Sequence, residues 1–345
     1  MTTAKQNPEQ PRRRKAVAAI CAATFLPGTG ILAANLPQAE RIRFDFHQAL
    51  GVNLHHFLYN AARNDPQLTR TSWHLQPDTQ QRQALLQAIS YYQAGLSQRD
   101  VLFDDTMYAI KLALTKAPDL IDDTYPFAVE ASLQRTLQLA LPAYRECVWP
   151  ADLAKNRLWQ RCVEALNLSH GAELWQRLQY QLAPCPLSQA IRVDLVTLTG
   201  TFQGAYTDHV SEQIVLPSAR GDYQGLSSLE MLYHEACHIG MMRPIMDELT
   251  RAFERAGKPV DRQLWHAIQF YTVGKACQTI YGKQGLDYRP YHEVKRLFEL
   301  APGWQRYRQP ISSHWQAWLD GKINQDEALR LMVRDLPPDT SPKKG

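Results

Sequence analysis

The chain has 345 residues, of which 45% are apolar and 21% charged, and its formal net charge is +4. That length supports a large hydrophobic core. The balance excludes an intrinsically disordered chain and one embedded in a membrane throughout.

The excess positive charge lies at the N-terminus. Arg12, Arg13, Arg14 and Lys15 precede an apolar run from Ala16 to Leu26, then Pro27-Gly28-Thr29-Gly30 and Ile31-Leu32-Ala33-Ala34. This order of charged, apolar and small residues predicts a secretory signal peptide over 1–34. The apolar run is too short to span a bilayer as a helix, although an uncleaved N-terminal anchor is the alternative. Arg13-Arg14 also permits a twin-arginine reading. The expected destination is the periplasm or the medium, with no stable membrane insertion once the leader is removed. Cleavage takes away five basic residues and Glu9, so the mature chain carries no net charge. A nucleic-acid partner is therefore disfavoured. Cys147, Cys162, Cys185, Cys237 and Cys277 remain, with Cys147 and Cys162 the nearest pair in sequence; no C-x-x-C supports a thiolate zinc knuckle.

From 35 to 185 the pattern predicts a helical N-terminal region. Segments 41–63, 79–95, 105–117, 126–146, 151–166 and 170–182 repeat apolar residues every three or four positions. Asp104-Asp105 and Asp122-Asp123 sit beside helix starts and read as caps. His55 and His56 are adjacent on a helix, so their rings diverge and packing explains them. After Pro186 the character changes. Ile191 to Leu198 alternates like a half-buried strand, and 204–207 and 213–217 suggest two more. Helical patterns return at 226–241, 244–256, 262–283, 288–300, 310–319 and 324–333. The expected class is α+β, predominantly helical, with a small sheet opening a second region that spans 186–336. The polar tail 337–345 is expected to be disordered.

The chemistry concentrates at His234-Glu235-Ala236-Cys237-His238, an H-E-x-x-H sequence. On a helix, positions i and i+4 share one face, so both imidazoles can reach one Zn2+ ion. The glutamate beside the first histidine can then take a proton from a water that the metal activates. Ser227-Ser228-Leu229-Glu230 reads as a capping box that starts this helix. No proline or glycine interrupts Leu226 to Ile239.

On these residues the sequence resembles the zincin metallopeptidases. The resemblance covers about 190–285, and His234, Glu235 and His238 are the residues that match one by one. It implies a zinc-dependent hydrolase acting on peptide or protein substrates, with a small sheet whose edge strand aligns the peptide. Gly204-Ala205-Tyr206-Thr207 is the candidate for that edge. Met241 and Pro244 stand where a metzincin would have glycine and a third histidine, so the resemblance is to the gluzincin type. No clear Glu-x-x-x-Asp follows between 239 and 285, however.

Three residues compete for the third ligand position. Glu254 lies opposite the apolar stripe of its helix and is expected in solvent. Glu248 sits on the flank of that stripe. His266 follows a cap at Asp261, on a helix that is apolar nearly all round and therefore buried. There it shares a face with Phe270, Val273 and Cys277. A buried histidine needs a partner, and His266 is the favoured ligand over Glu248. Tyr271, Tyr281, Tyr288, Tyr291 and His292 are unranked candidates for the group that stabilises an oxyanion. Two rival readings stand: a zinc-stabilised binding protein without turnover, and a helical exported protein in which the motif is accidental.

Overall fold

The computed structural model describes residues 42–116, 129–185, 189–200, 204–208 and 211–339. The signal-peptide segment 1–34, Cys21, the Asp122-Asp123 pair and the last six residues of the tail lie outside these. Strand β1 (Phe44–His47) comes first, followed by helices α1 (Leu50–Asn64), α2 (Thr79–Gly95), α3 (Asp105–Thr115), α4 (Ala131–Cys147) and α5 (Trp149–Gln181). Strands β2 (Ile191–Val196), β3 (Tyr206–Asp208) and β4 (Gln213–Pro217) lead into α6 (Leu226–His238), α7 (Met242–Arg255) and α8 (Leu264–Gly282). Short helical turns fill 291–319, and α9 (Gln325–Asp335) closes the described chain. The class is α+β and predominantly helical, as expected.

The sheet has the order β1-β2-β4-β3. β1, β2 and β4 are mutually parallel, and β3 pairs antiparallel with β4, setting Thr207 opposite Ile214. β2 and β4 are covered on both sides, so the sheet is a middle layer. Ile191, Val193, Leu195, Ile214 and Leu216 face a core shared with α5, α6, α7, α8 and α9. Val196, Val215 and Tyr206 face the core of α1 to α4. The alternation in β2 thus separates two cores and does not separate a core from solvent, which corrects the half-buried reading. Asp194 shows what a polar residue in that alternation becomes. It is fully buried, held by two bonds from Arg192 at 2.9 and 2.8 Å and by the Gln213 amide at 2.5 Å. A buried carboxylate survives only with partners of this kind.

Two boundaries differ from the sequence expectation. Residues 44–47 form a strand where the helical pattern was extended back to 41; Phe44 and Phe46 alternate onto the core, against Tyr233 and Trp159. The segments 151–166 and 170–182 form the single helix α5. The Tyr233 hydroxyl bonds both Asn167 Oδ1 (2.7 Å) and the Gly171 carbonyl (2.9 Å), bracing the helix across the expected break. Asp104 caps α3 as expected, accepting from the Thr106 and Met107 N–H groups. His55 and His56 are packed as expected, bonded to the Tyr92 and Tyr206 hydroxyls at 2.8 and 3.1 Å. No disulfide joins the five described cysteines.

Candidate metal centre

Helices α6 and α8 pack together and set three imidazoles into one cluster. His234 and His238 come from the last two turns of α6, and His266 from the first turn of α8. Their nitrogens all lie within 4.8 Å of one another. The ring centroids form a near-equilateral triangle, with separations of 5.1, 5.3 and 5.3 Å. His234 Nε2 and His266 Nε2 approach to 3.2 Å. Two nitrogens bound to one tetrahedral zinc at ordinary bond lengths are separated by about 3.3 Å.

The donor set fits a cation. Burial pushes the His234 ring well below its ordinary pKa, helped by His238 and His266, and burial alone takes His266 down to about 4. At neutral pH His234 and His266 are therefore uncharged, each with a lone pair to offer within the cluster. Among the described residues no carboxylate joins the group, and His234 Nδ1 is buried without a hydrogen-bond partner. A proton can join His234 and His266 across their 3.2 Å contact, whereas a metal ion is a partner that all three rings can share at once.

The surroundings hold the rings rigidly. His234 stacks on Phe270 at 3.9 Å and 27°, and Phe270 stacks in turn on Tyr291 at 5.9 Å. Trp265 stacks on His266 at 5.0 Å and meets His238 edge-on at 5.6 Å. Trp304 closes the far side, 5.8 Å from His266, with its indole N–H donated to Gln263 Oε1. Asp261 organises this corner. It accepts from the Gln263 and Leu264 N–H groups at the start of α8, as expected, and also binds Arg306 and the Tyr307 hydroxyl. The Gln269 amide donates to the His234 carbonyl at 2.6 Å, pinning α8 to the motif helix.

Glu235, one residue on from His234, is turned about 100° around the helix, towards the sheet. It is buried, and the Thr207 hydroxyl on β3 lies 2.7 Å from Glu235 Oε2 and 2.9 Å from the Glu235 carbonyl. That hydroxyl has one proton for two acceptors. A protonated Glu235 resolves the conflict, because each oxygen then has a proton to share. Burial indeed pushes the Glu235 carboxyl up to about 7, against the opposing bond from Thr207. The carboxyl is thus poised to hold or release a proton near neutrality.

Glu230 departs from expectation. Gly225, at φ +60°, is the residue before α6, and no side chain caps the helix. Ser227 and Ser228 donate their hydroxyls backwards, to the carbonyls of Gln224 and Gly225. Glu230 instead points inward one turn before His234 and accepts from the Tyr291 N–H (3.0 Å) and the Tyr288 hydroxyl. Gly274 makes room for it: a Cβ there would sit 2.7 Å from Pro290, 2.9 Å from His292 Nδ1 and 3.0 Å from Glu230 Oε1. Burial raises the Glu230 carboxyl from 4.5 to about 7. Between those pH values the folded chain keeps a proton that the unfolded chain has lost, so this group's contribution to stability falls as pH rises. Glu230→Gln is expected to remove that slope and stabilise the chain by up to about 3 kcal/mol at pH 7.5 but not at pH 4.5. Urea denaturation of variant and parent at the two pH values checks this, and an equal difference at both would contradict it.

Of the other candidates, Glu248 pairs with Arg251 on its own helix, and Glu254 is exposed. Tyr271, Tyr281 and Tyr288 direct their hydroxyls to Gln316, the Leu226 carbonyl and Glu230. His292 is buried against Tyr271 and Phe298. Tyr291 stacks on Phe270, which stacks on His234. Two residues that sequence reasoning passed over also belong here. Thr207 touches Glu235, and its place on the candidate edge strand was the available signal. Tyr223, whose hydroxyl accepts from the Ala205 N–H at 3.1 Å, is pushed up by burial, its neighbour Tyr291 and the Glu235 charge.

No helix among the described residues is long and apolar enough to cross a membrane. Comparison with known proteins finds no matching family model, curated protein or solved structure. The three-histidine cluster, with His234 and His238 at the H-E-x-x-H spacing, is consistent with a zincin-type metal site.

Proposed function

We propose that this chain is an exported zinc-dependent hydrolase, a peptidase in which His234, His238 and His266 hold Zn2+ and Glu235 is the general base. The observation that carries the reading is the convergence of three imidazoles, beside a buried carboxyl that burial raises to about 7. When bound, the zinc polarises the scissile carbonyl and makes a neighbouring water acidic enough to attack at ordinary pH. Glu235 accepts that water's proton on its carboxylate and delivers it to the leaving amine nitrogen, ending the cycle as it began. Thr207 holds the carboxylate in place during the transfer. β3 lies at the edge of the sheet beside Glu235, where the zincin resemblance expects a substrate strand to align. The leader-like residues 1–34 support a periplasmic or secreted location.

Incubating the purified chain with a mixed peptide pool tests the activity. New N-termini should appear by mass spectrometry, vanish on chelation and return with stoichiometric zinc. Intact peptides in the presence of bound zinc would leave the zinc-stabilised binding protein as the better reading.

A further inference from the structure

A groove of about 790 Å3 runs between the end of α1, the chain after β2 and the turn ahead of α6. Its lining includes Arg63, Arg70, Arg220 and Lys295, against a single carboxylate, Asp222. Asp222 is shared: Arg220 donates to it at 2.8 and 2.9 Å, and Lys295 lies 2.8 Å away. One negative charge cannot neutralise both. Arg63 donates to the Ser97 carbonyl and the Tyr59 hydroxyl, and Arg70 to the Asn64 carbonyl, none of which carries charge. Asp65, beside the groove, accepts from the Thr69 and Arg70 N–H groups and also feels the Arg70 charge, so it compensates Arg70 in part. Four cations thus face Asp222 in the lining and Asp65 beside it, and the groove keeps an excess of positive charge.

Its position ties it to the histidines. Asp222 precedes Tyr223, and the Tyr291 hydroxyl reaches Asp222 Oδ2 at 3.5 Å. The Tyr291 ring lies on Phe270, which lies on His234. One wall of aromatic rings thus separates the groove from the metal cluster. A second cavity, of about 290 Å3, opens off the groove past Asn60, Asn64, Arg70 and Leu198, and its lining adds Lys155 and the carboxylates Asp65 and Asp152 to amide, hydroxyl and carbon. Size and depth suit a few residues of extended chain, whereas a nucleic-acid backbone needs a longer basic track.

We propose that this groove binds the carboxylates of an acidic peptide and so selects acidic substrates for the histidine site. The word "substrates" rests on the peptidase reading; the binding does not. Three fluorescein-labelled ten-residue peptides, glutamate-rich, neutral and lysine-rich, are titrated into the zinc-loaded full chain carrying Glu235→Gln, with anisotropy as the readout. The glutamate-rich peptide should bind at least about tenfold tighter than the neutral one, with the preference shrinking as salt is raised. Adding Arg70→Gln and Lys295→Gln, both at the surface, should erase most of that preference and leave the circular dichroism unchanged. Arg220 still pairs with Asp222 in that variant, so the groove wall is kept. Equal binding of the three peptides, or a preference that survives the double change, would overturn the proposal. So would tighter binding of a ten-nucleotide single-stranded DNA. The parent chain separates the two ideas: cutting without acidic preference removes the groove's role alone, and acidic preference without cutting removes the peptidase alone.

Discussion

Glu235→Gln is expected to lower peptide hydrolysis by between about a hundredfold and ten-thousandfold while zinc binding stays at the parental level. The range is that of a general base removed from an otherwise intact site. Glutamine keeps the size of the side chain and can still accept from Thr207, whose hydroxyl lies 2.7 Å from Glu235 Oε2. It cannot take a proton. Because the change leaves all three imidazoles in place, a parallel loss of metal would mean that Glu235 supports the cluster rather than the chemistry. The effect should lie in kcat with little change in KM, since the group acts on the reacting proton and not on substrate affinity.

His266→Ala is expected to abolish tight zinc binding and, with it, the thermal stabilisation that zinc confers on the parent. Zinc at a thousand times its dissociation constant stabilises a folded chain by about 4 kcal/mol, which corresponds to roughly 6 °C in Tm for a domain of this size. The variant should unfold at the same temperature with and without zinc. His266 is not expected to act alone: its nitrogen lies 3.2 Å from that of His234, so His234→Ala should give the same loss. The apo form of the variant should remain folded, because Leu264, Ala267 and Ile268 around it carry the packing of α8. A zinc-induced shift that persists in His266→Ala would mean that the third position is filled from elsewhere.

How far the site could be read from sequence depends on how local each signal is. His234 and His238 are four residues apart, and the geometry of one helix suffices to join them. His266 needed a longer argument, from an apolar helix that had to be buried and a histidine on it that had to be satisfied. The burial of α8 follows from its own composition, and the fold brings His266 into one cluster with His234 and His238. Glu230 shows the opposite case. Its spacing from Ser227 matches a capping box, yet Tyr288 and Tyr291, some sixty residues downstream, claim its carboxylate, and nothing near it in sequence reveals them. β1 carried the alternation of a strand in Phe44-Asp45-Phe46-His47, but four residues beside a fifteen-residue helix were absorbed into the longer pattern. The basic groove is assembled from positions 63, 70, 220 and 295, and charges so dispersed have no signature until the fold gathers them.

Three imidazoles from α6 and α8 holding one zinc would give a distinct signature in X-ray absorption at the zinc edge, measured on the reconstituted full chain. About one zinc per chain is expected, with three imidazole nitrogens at about 2.0–2.1 Å. A sulfur shell at about 2.3 Å, which would bring in a thiolate such as Cys237, or no bound zinc after reconstitution, would contradict that arrangement.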